Sequence, residues 1–276
     1  MSTTTTRTAQ QDSSANKHPR RDETGHPSAI SKTRRFETSF SNMDKETVTT
    51  LEYIVPPDNC GRCNDNDVKL KRCTNCFGIA YCSRECQAFH WKNHKKFCTD
   101  IAVWNLVLAI EHNDLDLIQK YARTSSKIVN GCSKRLGVSY PIFACVRYDN
   151  VEALRILLES GNVNNIDITD ADGDTALHLA ASKRNNTNIM NLLLEHGANP
   201  NHKSHDGFSV LMMAARDFDL DNTQCILDAG VSTDVIHHTI GRIQMIMGGA
   251  MLHKEETTEE LLTRKQRTLD LLLQYV

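Results

Sequence analysis

Between positions 60 and 98 the chain concentrates seven of its ten cysteines, together with a histidine at metal-ligand spacing. These side chains fall into four pairs: Cys60 and Cys63, Cys73 and Cys76, Cys82 and Cys86, and His94 and Cys98. Cysteine sulfur and histidine nitrogen are the usual ligands of structural zinc, and two tetrahedral ions need eight ligands. The segment is too polar to bury a core of its own, so we expect two structural Zn²⁺ ions to fold it.

The gaps inside the pairs predict how the ligands are presented. A two-residue gap, as in the first two pairs, forms a knuckle in which both sulfurs face one metal. A three-residue gap, as in the last two pairs, places both ligands on one face of a helix. His90 is a rival to His94 because it lies one helical turn from both Cys86 and His94, but His94 pairs with Cys98. Spacing alone leaves open whether the pairs serve the two ions sequentially or in an interleaved order.

From about residue 101 the chain consists of short apolar helical segments separated by Gly, Asn and Asp turns. The segment 172–181, which reads Asp-Gly-Asp-Thr-Ala-Leu-His-Leu-Ala-Ala, recurs 34 residues later at 206–215 as Asp-Gly-Phe-Ser-Val-Leu-Met-Met-Ala-Ala. A second apolar helix follows each copy and ends at Gly197 or Gly230. A period near 33 residues with a turn and two helices predicts a solenoid.

Composition bounds the remaining possibilities. Residues 1–45 are rich in Thr, Ser, Gln and charge, which predicts a disordered tail. Residues 60–98 carry eight basic and three acidic side chains, whereas residues 99–276 carry sixteen and twenty-three, and this acidic body disfavours nucleic-acid binding. The longest apolar run, 101–110, is too short for a membrane span. We expect an intracellular protein, cytoplasmic or nuclear, with reduced thiols.

The ligand spacing resembles that of the MYND zinc finger at every position, as does the stretch from Tyr81 to Gln87 followed by Trp91 and His94. This resemblance implies interleaved pairing, with one zinc ion on Cys60, Cys63, Cys82 and Cys86 and the other on Cys73, Cys76, His94 and Cys98. It also implies a groove for short proline-containing peptides, lined by Thr74, Gln87 and Trp91.

The repeated segment resembles the ankyrin repeat. Such an array implies a concave face that docks a partner protein, and we expect its exposed residues to include Asp170, Asp172, Asp174, His205, Asp206 and Phe208. His178 is interpreted as a structural group that bridges helix and turn. The array is expected to cover 102–276, with its best repeats at 138–170, 172–204 and 206–238, a poorly matching one at about 102–134 and a helical cap within 239–276.

These features predict a mainly α fold, in which a zinc-stabilised, cross-braced finger at 60–98 precedes an ankyrin-repeat α-solenoid. The leading functional hypothesis is a non-enzymatic adaptor, whose finger binds a proline-containing peptide while its array docks another protein. No catalytic residue is predicted, because the sequence shows no Ser/His/Asp constellation, phosphate-cradling glycine loop or paired carboxylates in a pocket context. All eight metal positions are filled by protein side chains, which predicts structural zinc ions. The alternative is a ubiquitin ligase, because RING fingers also hold two interleaved zinc ions, although their histidine lies near the middle of the ligand order. A lysine methyltransferase is disfavoured because repeats occupy residues 99–276.

Overall fold

The structure is a computed structural model that describes residues 60, 62–63, 69–133, 137–245 and 258–276. The predicted disordered tail at 1–45 lies outside the described residues. Across the described ranges the chain is mainly helical, which confirms the predicted fold class. None of the helices in these ranges has the length and apolar character needed to cross a bilayer.

The finger contains one small antiparallel hairpin, formed by β1 (Lys71–Arg72) and β2 (Ala80–Tyr81). The chain between the strands folds back on itself as a knuckle. There the Cys73 N–H donates to the Ile79 carbonyl at 2.7 Å, and the Phe77 N–H donates to the Cys73 carbonyl at 2.9 Å. Phe77 has a left-handed φ of 49°, which closes this tight turn.

Two helices complete the finger and lead out of it. Helix α1 (Arg84–His94) begins after Ser83, whose hydroxyl accepts a hydrogen bond from the Cys86 N–H at 3.2 Å. This side-chain cap satisfies a backbone donor that the first helical turn leaves unpaired. Only three residues lie between the end of α1 and the start of helix α2 (Cys98–Glu111). The finger and the first long helix are therefore joined without a linker.

The rest of the described chain consists of helix pairs followed by two further helices. The pairs are α2 with α3 (Leu115–Thr124), α5 (Pro141–Arg147) with α6 (Val151–Glu159), α7 (Ala176–Ala181) with α8 (Thr187–Glu195), and α9 (Val210–Ala215) with α10 (Leu220–Asp228). A short helix α4 (Ser126–Val129) follows the first pair, and α11 (Thr233–Met245) and α12 (Thr258–Leu273) follow the last. Each pair packs against its neighbour along the array.

The turn inside every pair contains one non-glycine residue with positive φ. These residues are Asn113, Asp149, Asn185 and Phe218, with φ of 55°, 53°, 57° and 54°. They recur at intervals of 36, 36 and 33 residues. Because the same strained backbone conformation returns at the same place in each pair, the four pairs are copies of one structural unit.

His178 is a structural residue, as the sequence analysis expects. It is fully buried, its Nδ1 accepts from the Thr175 N–H at 3.3 Å, and its Nε2 lies 3.2 Å from the Phe208 carbonyl of the next repeat. The imidazole therefore accepts at one nitrogen and donates at the other, which requires its neutral form. In the next copy Ser209 takes the capping position and accepts from the Met212 N–H at 3.2 Å.

Helix α12 closes the array after the last pair. It packs against α10 and α11, and its residues Thr268 and Leu272 are fully buried. Arg264 donates to the carbonyls of Asp217 and Phe218, in the turn between α9 and α10. A cationic side chain thus satisfies two backbone carbonyls of the turn that follows α9.

Acidification should destabilise the array through His178. Burial lowers the pKa of His178, although the charge of Asp174 raises it. A depressed pKa in the folded state means that the unfolded chain binds the proton first, so stability is present above about pH 6.5 and falls below it. We expect His178→Gln to be less stable than the wild type at pH 7 but to lose less stability between pH 7 and pH 5, as measured by thermal unfolding. Equal losses in both proteins would contradict this role.

Candidate functional site

The first and third ligand pairs meet in one group. The Sγ atom of Cys82 lies 3.5 Å from those of Cys63 and Cys86, which are 4.0 Å from each other. Cys60 completes the group, and all four sulfurs lie within 4.8 Å of one another. Sulfurs bound to one tetrahedral zinc ion at about 2.3 Å lie about 3.8 Å apart. The group therefore has the dimensions of a zinc site.

The second and fourth pairs meet in another group. The Sγ atoms of Cys73 and Cys98 are 3.8 Å apart, and the Nε2 atom of His94 lies 3.4 Å from the Cys73 sulfur and 3.6 Å from that of Cys76. A nitrogen and a sulfur on one tetrahedral zinc ion lie about 3.6 Å apart. All four residues are buried. This group also matches zinc in its size.

The two groups use the ligands in the interleaved order that the MYND resemblance implies. One offers four sulfurs, and the other offers three sulfurs and an imidazole nitrogen. Such donor sets in tetrahedral arrangement suit zinc. Because four side chains fill each group, a tetrahedral ion bound there would have no open position for water or a substrate.

The expectation that the last two pairs each lie along one helix face is wrong. Cys82 precedes Ser83, which caps α1, so only its partner Cys86 is helical. His94 is the last residue of α1, whereas Cys98 is the first residue of α2. The three-residue gap still brings both ligands of a pair to the same metal group. Between Cys82 and Cys86 it spans the start of α1, and between His94 and Cys98 it spans the turn from α1 to α2.

His90 belongs to neither group. It is buried, and its Nδ1 lies 2.9 Å from the Tyr81 hydroxyl. Its ring stacks on that of His94 at a centroid distance of 6.0 Å. Burial lowers the pKa of His90, which favours the neutral ring. The structure thus places His94 among the sulfurs and gives His90 a packing role beside it.

The ligands of each group shift one another's pKa values in opposite directions. Hydrogen bonds with the Cys73 and Cys98 sulfurs raise the pKa of Cys76, and hydrogen bonds with the Cys86 and Cys63 sulfurs raise the pKa of Cys82. Burial raises the pKa of the Cys60 thiol, but backbone N–H groups that donate to its sulfur lower it to about 6. Burial lowers the pKa of His94, but hydrogen bonds to the sulfurs of Cys73 and Cys98 raise it to about 9. The Asn75 amide donates to the Cys98 sulfur at 3.1 Å. The backbone donors at Cys60 and the Asn75 amide stabilise negative charge on sulfur, which is the form that binds a metal. The raised pKa of His94 favours the imidazolium, so zinc binding at His94 would release a proton.

Two residues of the expected peptide groove, Thr74 and Trp91, lie beside ligands of the second group, whereas the third, Gln87, follows Cys86 of the first group. Gln87 and Trp91 are four residues apart on α1 and so lie on the same face of that helix. Trp91 is 44% exposed, and the rest of its ring packs edge-on against the imidazole of His94 at 5.7 Å. Thr74 is exposed between the ligands Cys73 and Cys76. Trp91 therefore both covers the metal group and leaves an apolar surface open.

Phe89 is the most exposed aromatic side chain that the structure describes, and no sequence pattern marks it as functional. Phe89 is 71% exposed, and the guanidinium of Arg62 lies 4.1 Å from its ring centroid. Two residues along a helix correspond to a rotation of about 200°, so Phe89 and Trp91 lie on different sides of α1. Because Phe89 is adjacent to the buried His90, the periodicity of apolar residues along α1 does not predict that Phe89 is exposed.

The expected docking residues lie in the loops before α7 and α9. Asp170, Asp172, His205 and Asp206 are exposed, whereas Asp174 and Phe208 are half-buried. The two loops are joined by a hydrogen bond from the His205 N–H to the Asp172 carbonyl at 3.0 Å. The Phe208 ring is partly covered by Arg242, whose guanidinium lies 4.7 Å from its centroid. The loops form an ordered, mostly acidic edge, although two of the six residues are less exposed than expected.

Comparisons with protein families agree with both resemblances. A family model described as the MYND finger matches residues 60–98. One described as ankyrin repeats in three copies matches residues 106–204 and 142–237. The order of the two matches confirms the predicted finger followed by repeats.

Several characterised proteins are similar to parts of the chain. SET domain-containing protein 14 of Caenorhabditis elegans is 33% identical over 72 residues, which cover 26% of this chain and 16% of that protein. Dauer abnormal formation protein 25 of the same organism is 52% identical over 40 residues, or 14% of this chain and 10% of that protein. An IkB-like protein of African swine fever virus is 30% identical over 113 residues, or 38% of this chain and 47% of that protein. The chain spans less than half the length of each relative.

Replacement of His94 or His90, one at a time, should distinguish the zinc ligand from the residue that packs beside it. We expect His94→Asn to lower the bound zinc from about two ions per chain to about one, because a tetrahedral site would lose a ligand. His90→Asn should keep both ions. Native mass spectrometry counts the ions directly. Full zinc content in His94→Asn, or loss of an ion in His90→Asn alone, would show that the ligand assignment is wrong.

Proposed function

Because the chain carries a MYND finger followed by ankyrin repeats, both of them protein-interaction modules, we propose that it is a non-enzymatic adaptor that brings two proteins together. The finger takes a short proline-containing peptide, and the array docks a second protein. The observation that carries this proposal is the half-exposed Trp91 held against the second metal group. Joining two modules in one chain raises the effective concentration of each partner near the other.

In this proposal the finger holds two structural zinc ions. The first is bound by Cys60, Cys63, Cys82 and Cys86, and the second by Cys73, Cys76, His94 and Cys98. The fit of the sulfur and nitrogen distances to tetrahedral coordination supports this assignment. The ions supply folding energy rather than chemistry, since neither group leaves a coordination position open. The seven cysteines must stay reduced to bind zinc, and this requirement fits a reducing intracellular compartment.

The peptide groove is proposed to lie along Gln87 and Trp91, with Thr74 at its side. A flat indole face suits a proline ring, and the amide of Gln87 is able to donate to a peptide carbonyl. Trp91 is anchored through His94, so little side-chain entropy is lost when a peptide binds. This anchoring supports a preformed groove.

The charges of the two modules favour different partners. The finger has a formal charge of +5, which becomes +2 when seven thiolates and two Zn²⁺ ions are included, whereas residues 99–276 have a charge of −7. The loops before α7 and α9 add a local acidic edge at Asp170, Asp172 and Asp206. We therefore propose that the array docks a partner with a basic surface and that the peptide at the finger has acidic or neutral flanks.

A ubiquitin ligase remains the second candidate because its cross-braced fingers share the interleaved ligand order. An autoubiquitination assay with purified activating and conjugating enzymes separates the two candidates. We expect the full chain to form no ubiquitin conjugates. Conjugates that disappear when Cys73 is replaced by serine would establish the ligase and overturn the adaptor.

Replacement of either exposed aromatic residue on α1 should locate the groove. We expect Trp91→Ala to weaken binding of a proline-containing peptide about thirtyfold or more, because a central aromatic anchor contributes about 2 kcal/mol or more. Phe89→Ala is the matched control: it removes an even more exposed ring from the other side of the same helix and should leave the affinity unchanged. Peptides selected from a proline-biased library on the wild-type protein, measured by fluorescence anisotropy, provide the comparison. An unchanged affinity in Trp91→Ala, or an equal loss in both variants, would contradict the groove.

A further inference from the structure

The finger and the array share a helix. Cys98, the last ligand in the chain, is the first residue of α2, which continues to Glu111 as the first helix of the first repeat. Cys98, Ile101 and Ala102 are all at most 3% exposed, so burial begins at the ligand itself. The described chain is continuous from residue 69 to 133. A change in the position of Cys98 must therefore move the start of α2.

A second connection runs through the backbone of another ligand. The carbonyl of Cys76 accepts a hydrogen bond from the Tyr121 hydroxyl at 2.6 Å and another from the Asn105 amide at 3.2 Å. Asn105 lies on α2, and Tyr121, which is fully buried, lies on α3. Both lone pairs of one knuckle carbonyl are thus used by the two helices of the first repeat.

The tip of the same knuckle is fitted against these helices. The ring of Phe77 meets that of Tyr121 edge-on at 5.2 Å, and the Lys120 ammonium lies 4.0 Å from the Phe77 centroid. A Cβ atom on Gly78 would lie 2.6 Å from the side chains of both Ile101 and Asn105. The knuckle and α2 approach so closely that only glycine fits between them.

The two metal groups differ in their relation to the array. The second group is fully buried, and Cys76 and Cys98 belong to it. In the first group Cys63 is exposed and Cys82 is half-buried. The side-chain contacts between finger and array described above all come from the second knuckle or from α2.

A solenoid needs a unit at each end that covers the apolar face of its terminal repeat. Helix α12 covers one end of this array, through Leu272 and Arg264. We propose that the second metal group is the cap of the other end, so that an ion held by Cys73, Cys76, His94 and Cys98 controls whether the first repeat, and with it the docking face, is formed. The first group has no such role. This inference rests on the proposed docking function of the array, but its structural part is tested without a partner.

Hydrogen exchange of the full chain, followed by mass spectrometry, tests the proposal. We expect Cys73→Ser, which disrupts the second group, to abolish most of the protection of residues 101–124, whereas Cys63→Ser, which disrupts the first, should leave it within about twofold of the wild type. A chelator added to the wild type should reproduce the Cys73→Ser pattern. Equal effects of the two substitutions, or full protection of residues 101–124 in the presence of the chelator, would overturn the proposal.

A variant that replaces no metal ligand keeps the test decisive if Cys73→Ser does not fold. Tyr121→Phe retains the ring that packs on Phe77 but deletes the donor to the Cys76 carbonyl. We expect exchange in residues 101–124 to accelerate about tenfold, since the buried Cys76 carbonyl loses one of its two hydrogen-bond donors. Its zinc content should stay at the wild-type value. Unchanged exchange would contradict the cap, and peptide binding by the finger, measured on the same variant, reports separately on the proposed function.

Discussion

Seven sulfurs and one imidazole stand close together in two groups, and this arrangement is favourable only if a cation neutralises the thiolates. Without a metal, the like charges on neighbouring sulfurs would repel or the sulfurs would have to stay protonated. The described residues of the finger form no apolar core that would substitute, because those that are buried are largely the ligands themselves together with Ile79 and Tyr81. Structural zinc sites in small fingers contribute about 10–16 kcal/mol of apparent binding energy, which is enough to fold such a segment.

The array is stabilised in a different way, by contacts between successive repeats. Each helix pair buries one face only when the next pair covers it, and alanines such as Ala180 and Ala214 let neighbouring helices approach closely. The two ends are the exceptions. At one end the chain supplies another helix, α12, and at the other we propose that it supplies the knuckle of the second metal group. The two modules are therefore one folded unit through α2, and a partner on the array and a peptide on the finger would be held on a common rigid support.

Much of this architecture follows from the sequence. Ligand types and gaps are enough to predict the finger, because metal coordination allows few spacings, and the repeated Asp-Gly-x-Thr/Ser pattern is enough to predict the array. The limits of the individual domains and repeats stay predictions. The sequence does not reveal that α2 starts on Cys98, since the apolar pattern from Ile101 onward is equally compatible with a separate helix.

Two other features escape sequence reasoning for physical reasons. The hydrogen bond between Tyr121 and the Cys76 carbonyl joins residues 45 positions apart, and no periodicity records a contact made by a backbone atom. The prediction that Cys82 and Cys86 lie on one helix is wrong for a local reason. A three-residue gap suits two ligands inside a helix, and it equally suits a first ligand that precedes the N-cap residue, as Cys82 does. Side-chain exposure is also invisible in the sequence: Phe89 is open, whereas the neighbouring His90 is buried. Tertiary packing decides such positions.

The most direct test of the central claim is a titration of the metal-free protein with Co²⁺, followed by visible and near-ultraviolet absorption. Tetrahedral cobalt bound to thiolates gives strong sulfur-to-metal charge-transfer bands and intense ligand-field bands. The account predicts that these bands saturate at about two equivalents and that the circular dichroism of the protein gains ordered structure in parallel. Saturation without a structural change, or the absence of thiolate bands, would contradict it.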